Sequence, residues 1–416
     1  MVLTVGGCVA LAVGCSALDA APRPVDPGAD LFERLTADPG APGDDIVEVW
    51  VCAVPDTTTN SLYGDADLRL MISPEYVIER IGARVTSYYA TVSFGRYDLQ
   101  WRAGGIVSLD DADGAEKCAE EALEQSSDEA SVVLAVANAE HAEGKSGGWG
   151  RPGSWFECRA GVPDEVAADR ECPASATGRA AYIGASDFSA AWGPVPLLDL
   201  VQHELGHALG LPHSGILVGM ATGPESSELV YSSALDLMSN SAAAHDADPT
   251  RRDGPDMLGI NRYDLGWLDD ADVVTAEAAT LADMMPDGGQ VDLELELAGA
   301  STPVQGGDAS SRTPRLAVVR LGDDRLLSIE YLLPTGLHDH LPEAGVSVHL
   351  VSDSVRDQAG PGVLRSQRPI GSEPPHTDLL GPGDSTVVDG FGPTVTLRVL
   401  ELTPTGARLV IEVVTG

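Results

Sequence analysis

The stretch HELGHALGLPHS at residues 203–214 constrains this chain more than any other. It places three of the nine histidines close together, with a glutamate beside the first and a glycine before the last. On an α-helix, positions four apart share a face. His203 and His207 can therefore present imidazole nitrogens to one tetrahedral ion at about 2.0–2.1 Å. Glu204 falls at the edge of that face, where it reaches a water on the ion without ligating the ion itself. Gly210 suits the end of the helix, because it adopts the left-handed conformation that reverses the chain. The turn returns His213 as a third ligand. Three protein ligands leave the fourth position to water, as a catalytic zinc site requires. The competing reading is an ordinary helix. A bare His-Glu-x-x-His arises by chance, but the added glycine and histidine at the extended spacing make coincidence rare.

The composition sets the surroundings. The 416 residues suffice for two domains with buried cores, and 43% are apolar. The formal net charge is −39 and the isoelectric point about 4.3. Such a surface repels nucleic acid and anionic lipid headgroups, so no nucleic-acid partner is expected. Its simplest role is solubility outside the cell or in salt. Some carboxylates are candidates for Ca2+, although no stretch has the spacing of a calcium loop. The nearest, DDADG at 110–114, lacks the leading acid and the distant glutamate, so Asp113 reads instead as a helix N-cap.

Residues 1–15 read as a signal segment: apolar, small and too short to span a bilayer well. AVGC at 12–15 resembles a bacterial lipoprotein cleavage box, which would make Cys15 a lipidated residue and anchor the protein to a membrane. Simple secretion is the alternative. Residues 16–43, rich in Pro, Ala and Asp, read as a tether. Setting Cys8 and Cys15 aside leaves Cys52, Cys118, Cys158 and Cys172, an even number that suggests two disulfides in an exported protein. Cys158 and Cys172 flank a polar loop that a bridge would close, which leaves Cys52 for Cys118.

Strands and helices alternate through residues 44–270: DIVEVWVCAV, a helix over 74–92, a strand and turn over 96–109, a helix over 114–125, SVVLAVAN, RAAYIGA, and a helix after Pro196. That alternation predicts an α/β layer around a mostly parallel, twisted sheet, with the histidine helix packed on it. Past residue 270 helical periodicity fades. QVDLELELAG, PRLAVVRL, RLLSIEYLL, GVSVHLVSD, PTVTLRVLEL and ARLVIEVVT are short alternating strands, so residues 271–416 read as an all-β sandwich, with 352–378 a long loop.

HELGHALGLPH resembles the extended zinc motif of the metzincin metalloendopeptidases. That clan carries a methionine-bearing turn beneath the metal. YSSALDLMSNS at 231–241 is similar to it, with Met238 favoured over Met220 and Met257 by its Asp-Leu-Met-Ser context. LGINRYDLGWL at 258–268 resembles the helix after that turn in immune inhibitor A-like and gametolysin-like peptidases. LLSIEYLLPTGLHDHLPEAGVSVHLVSD and LLGPGDSTVVDG resemble the β-sandwich that follows the catalytic domain there. Two departures are visible. Met238 lies farther from His213 than in the matrixins, to which HALGLPHS is also similar. The tyrosine found two positions after the methionine in astacins and serralysins is Asn240 here; Tyr231 and Tyr263 are alternative donors, with structural roles as the competing reading. CAVPD at 52–56 partly resembles the matrixin cysteine switch, but Cys52 ends an apolar strand that the sheet needs.

The resemblance implies an exported zinc-dependent endopeptidase acting on protein or peptide substrates, with Glu204 as general base and Met238 as an apolar floor. The substrate would lie along an edge strand near 179–185. The rival is a degenerate relative that serves as a surface adhesin. His141, His245, His338, His340, His349 and His376 lack ligand spacing, and the His338–His340 pair reads as a solvated loop. Peptide mapping of exported protein without reduction should recover Cys158 linked to Cys172; free thiols at both would refute that pair.

Overall fold

The structure, a computed structural model, describes residues 31–37, 43–143, 145, 147–152, 178–188, 196–216, 231–283, 290–301, 312–352, 364–366, 379–389 and 393–414. The readings for Cys15, Cys158, Cys172, Met220 and His376 lie outside these residues, as do most of the loop 352–378 and residues 16–30 of the tether.

The helices are α1 (Leu31–Ala37), α2 (Pro74–Val92), α3 (Ala115–Gln125), α4 (Asp199–Ala208), α5 (Ala243–Ala247), α6 (Gly259–Asp264) and α7 (Ala278–Asp283). In the first half the strands are β1 (Gly43–Ala53), β2 (Tyr97–Ser108), β3 (Val132–Ala137), β4 (Gly148–Arg151) and β5 (Arg179–Ile183). They form one sheet in the order β2-β1-β3-β5-β4, in which only β4 runs antiparallel to its neighbour. Side-chain alternation along β1 feeds two cores. Val47, Val49 and Val51 join α2 and α4 on one face; Trp50 and Cys52 join α3 on the other. Burial of each such aliphatic side chain contributes about 1.5–3 kcal/mol. Cys52 and Cys118 are joined by a disulfide that ties β1 to α3. Cys52 is fully buried there, so it does not act as a switch on the histidines.

Three expectations change in this half. YDLQWRAGGIVS is one twelve-residue strand rather than a strand and turn. The N-cap of α3 is Gly114, while the Asp113 carboxylate accepts from the Asp110 amide at 2.8 Å and closes the preceding turn. Residues 31–37, read as tether, form a helix: Leu31 is buried among Leu258, Ile260 and Leu326, and its amide donates to Asp323 at 2.7 Å. The apolar spacing of LFERL explains the docking.

The second half is built of strands β6 (Ser214–Ile216), β7 (Val273–Glu277), β8 (Gln290–Ala298), β9 (Leu316–Gly322), β10 (Arg325–Leu332), β11 (Gly345–Ser352), β12 (Leu364–Ser366), β13 (Ser385–Val388), β14 (Thr394–Leu402) and β15 (Gly406–Val414). A six-stranded mixed sheet, β6-β12-β11-β10-β9-β7, faces a four-stranded antiparallel sheet, β13-β14-β15-β8. Their inner faces share a core of Leu327, Ile329, Val348, Leu397 and Ile411. The sheets do not respect a cut near residue 270. β6 directly follows His213 and pairs in parallel with β12.

The outer face of the six-stranded sheet abuts the first half. Glu330 on β10 is fully buried there, and its carboxyl oxygens accept from the Gly259 amide at 3.1 and 2.9 Å. Burial pushes this carboxyl up to about 8, against the pull of Arg262 and the Gly259 amide. A carboxyl whose folded pKa exceeds its unfolded value holds its proton more tightly when folded. Its stabilising contribution is therefore full below the ordinary value of 4.5 and is lost as pH rises through about 8. Between about pH 5 and 8 the thermal midpoint of the wild type should fall more steeply than that of Glu330→Gln, a difference of order 1.4 kcal/mol per pH unit at most. Parallel profiles would contradict this.

Candidate metal centre

Helix α4 carries DLVQHELGHA against the five-stranded sheet, with His203, Glu204 and His207 all buried. Gly210, at φ 98°, takes the left-handed conformation that ends the helical run. The reversal lets the Leu211 carbonyl accept from His207 Nδ1 at 2.7 Å. His203 Nδ1 donates to the Leu237 carbonyl, also at 2.7 Å. Both bonds place the ring proton on Nδ1 and leave a lone pair on Nε2. His213, returned by the turn, completes the group. His207 Nε2 lies 3.0 Å from His203 Nε2 and 2.8 Å from His213 Nε2. Two nitrogens on one tetrahedral zinc lie about 3.3 Å apart, so a slight ring rotation fits all three to one ion.

The electrostatics favour a cation among them. Burial holds the His207 imidazole well below its ordinary range, and the neighbouring His203 and His213 lower it further. Protonation therefore does not relieve the crowding of lone pairs, whereas a metal does. Among the described residues this is the one cluster of three or more His, Cys, Asp or Glu with converging ligand atoms. The candidate calcium role gains no such cluster.

The loop 231–241 forms the floor. Met238 is fully buried, and a Cβ on Gly206 would stand 2.5 Å from its sulfur, so the glycine of HELGH admits the methionine. The Met238 carbonyl accepts from the Ser214 amide at 2.9 Å, tying this loop to the residue after His213. Met257 lies elsewhere in the first-half core.

A cleft of about 560 Å³ opens over the histidines, lined by Glu204, Tyr231, Trp149, Tyr182 and Asn240 among others. One wall is β4. Strand β5 was the expected edge, but β4 covers it and is the last strand of the sheet among the described residues. The glycines of GWGR explain the fit. A Cβ on Gly150 would meet the Glu204 carbonyl oxygen at 1.9 Å and His207 Cβ at 2.6 Å. One on Gly148 would stand 3.0 Å from Glu204 Cγ and Oε1. Only bare backbone lies this close to the helix. Sequence reasoning missed β4, although glycine at alternate positions around a tryptophan was its signal.

The two tyrosine candidates separate. The Tyr231 hydroxyl lies 3.0 Å from His213 Nε2, its ring packs 4.7 Å from the imidazole, and the residue is 49% exposed to the cleft. Tyr263 is outside the cleft; it donates to Asp270 at 3.0 Å and stacks on Phe32. His338 and His340 are not a solvated pair. Their Nε2 atoms each lie 2.9 Å from a backbone carbonyl, of Leu235 and Ala234, so they brace the methionine loop from behind. Burial lowers His338 to about 4. His141 meets the Tyr182 hydroxyl at 2.8 Å, His245 lies beside Asp199, and His349 is fully buried on β11.

No known family model matches this chain, and no curated protein matches it.

Gly150→Ala should peel β4 from α4, since the opposing atoms are backbone. The expected loss is about 3 kcal/mol, the upper end for overpacking. Gly322→Ala, whose Cβ meets nothing within 4 Å, is the control. Equal melting temperatures for the two variants would show that the contact is not close.

Proposed function

We propose that this chain is an exported zinc-dependent endopeptidase of the metzincin type. The observation that carries the reading is the convergence of His203, His207 and His213, with Glu204 beside them, in a cleft walled by strand β4. His203, His207 and His213 would hold the ion. When bound, zinc lowers the pKa of a water to about 7 and polarises a carbonyl.

The chain's own residues do the rest. Glu204 takes the proton of the attacking water and delivers it to the leaving amine. Bare backbone at Gly148, where a Cβ would stand 3.0 Å from Glu204 Oε1, makes room for the carboxyl at the cleft. Tyr231 points its hydroxyl at the ligand cluster and can donate to the oxyanion that forms on the former carbonyl. Strand β4, which walls the cleft, would lie alongside the bound peptide. Met238 brings no charge; it holds the ligand helix at a fixed depth. Export, by simple secretion or with a lipid on Cys15, rests on the character of residues 1–15 and the strong net negative charge.

Glu204→Ala should retain close to one zinc per chain by elemental analysis and an unchanged melting temperature. Its peptide hydrolysis should fall by at least about 10²-fold, the usual weight of a general base. His207→Ala should lose zinc and activity together. Undiminished activity in Glu204→Ala, or loss of its zinc, would overturn the assignment. A zinc-loaded wild type that cleaves nothing in a broad peptide library would favour the adhesin.

A further inference from the structure

His203 and His207 both donate from Nδ1 to a backbone carbonyl, but the two acceptors differ in origin. His207 uses Leu211, four residues on in the same turn. His203 uses Leu237, 34 residues away, at 2.7 Å. Leu237 is held at the other end of its backbone as well: its amide donates to the Asp256 carbonyl at 2.9 Å. A Cβ on Gly254 would stand 2.7 Å from Leu237 Cδ1, so the segment leading to Asp256 presses directly on this residue.

The place of the Asp256 carbonyl is set by its own side chain, which belongs to a residue only 2% exposed. Oδ1 accepts from the Met257 amide at 2.8 Å and from the Arg262 guanidinium. Oδ2 accepts from the Ser301 hydroxyl, and His338 Nδ1 stands 4.0 Å from it. Arg262 is fixed in turn: its Nε donates to the Val92 carbonyl at 2.8 Å, and its guanidinium lies 5.1 Å over the Phe94 ring. Ser301 arrives from the second half. It follows β8, and its neighbour Ala300 is buried in one cluster with Leu235 of the methionine loop.

An imidazole ligand is aimed by the partner of its other ring nitrogen, and loss of such a partner commonly costs 10- to 100-fold in metal affinity. We infer that Asp256 is a positioning residue for the histidine cluster: clamped between Arg262 and Ser301, it sets the Leu237 backbone and through it the ring of His203, so that the second half of the chain governs how tightly the cluster holds its ion. This role rests on the peptidase reading only for there being an ion to hold. His207, with its acceptor in its own turn, is outside the clamp and serves as the internal reference.

The full-length chain is tested in three variants. Asp256→Asn keeps the volume but leaves Arg262 buried without its counter-charge. Ser301→Ala removes only the donor from the second half, and serves if Asp256→Asn folds poorly. Ser301→Thr keeps a hydroxyl and should behave as wild type. In metal-free protein labelled with 15N-histidine, the Nδ1 proton of His203 should be observed by NMR in wild type and Ser301→Thr. In Asp256→Asn and Ser301→Ala it should shift or be lost to exchange, while that of His207 stays in place. Zinc affinity, by competition with a chelator, should fall by about 10- to 100-fold in Asp256→Asn. In Ser301→Ala it should fall by at least about 3-fold. Unchanged affinity and an unchanged His203 signal in both variants overturn the clamp. Equal disturbance of His203 and His207 does so too, since it shows general loosening. A wild type that takes up no zinc sinks the zinc reading instead, and the metal-free signals of His203 and His207 still decide for or against the clamp.

Discussion

The carboxylate of Asp236 is the constraint around which the histidine cluster and its loops are arranged. It is fully buried, and burial pushes it up to about 6 against the hydrogen bonds it accepts. Those bonds come from the Ser214 hydroxyl at 2.6 Å, the Leu258 amide at 3.1 Å and the Met238 amide. One side chain thus joins the residue after the third histidine, the methionine loop and the entry to α6. Its neighbour Asp256 pairs with Arg262 and accepts from Ser301, so that burial, which would raise its pKa, is outweighed and the carboxyl stays ionised. Polar groups this deep stabilise only when satisfied. Satisfied, they fix one arrangement of the loops that aim the ligands.

The convergence of the three histidines was legible because an i, i+4 pair, a helix-ending glycine and a third histidine are all local. Gly210 and the Leu211 carbonyl act within a few residues of the side chains they place. The alternation of β1 and the helical spacing of α2 were legible for the same reason. What escaped depends on pairs far apart in the chain. The brace that His338 and His340 give to residues 234 and 235 exists only once the halves meet. Tyr231 and His213 stand 18 residues apart and meet only in the folded chain. The edge strand β4 is four residues long and half glycine, below the length and hydrophobicity that mark a strand. Its composition answers to a helix pressed against it, not to its own propensity.

Glycine therefore serves two ends in the cleft. At Gly206 it admits a methionine beneath the ligand helix, and at Gly148 and Gly150 it admits the helix beside the sheet edge. The result is a narrow strip of backbone between the histidines and the indole of Trp149. Imidazole and carboxylate lie on one side of that strip and the indole on the other.

The pairing of residues 214–216 with 364–366 has a temporal consequence. The ribosome makes the three histidines long before it makes the strand that flanks the last of them. Helix α4, ten residues long and almost wholly buried, draws its stability from packing rather than from its own bonds. The segment after His213 gains its parallel neighbour only when most of the chain has been translated, and closing so long a loop is slow. The setting of the third histidine is therefore completed late in synthesis, when the strand at 364–366 has been made.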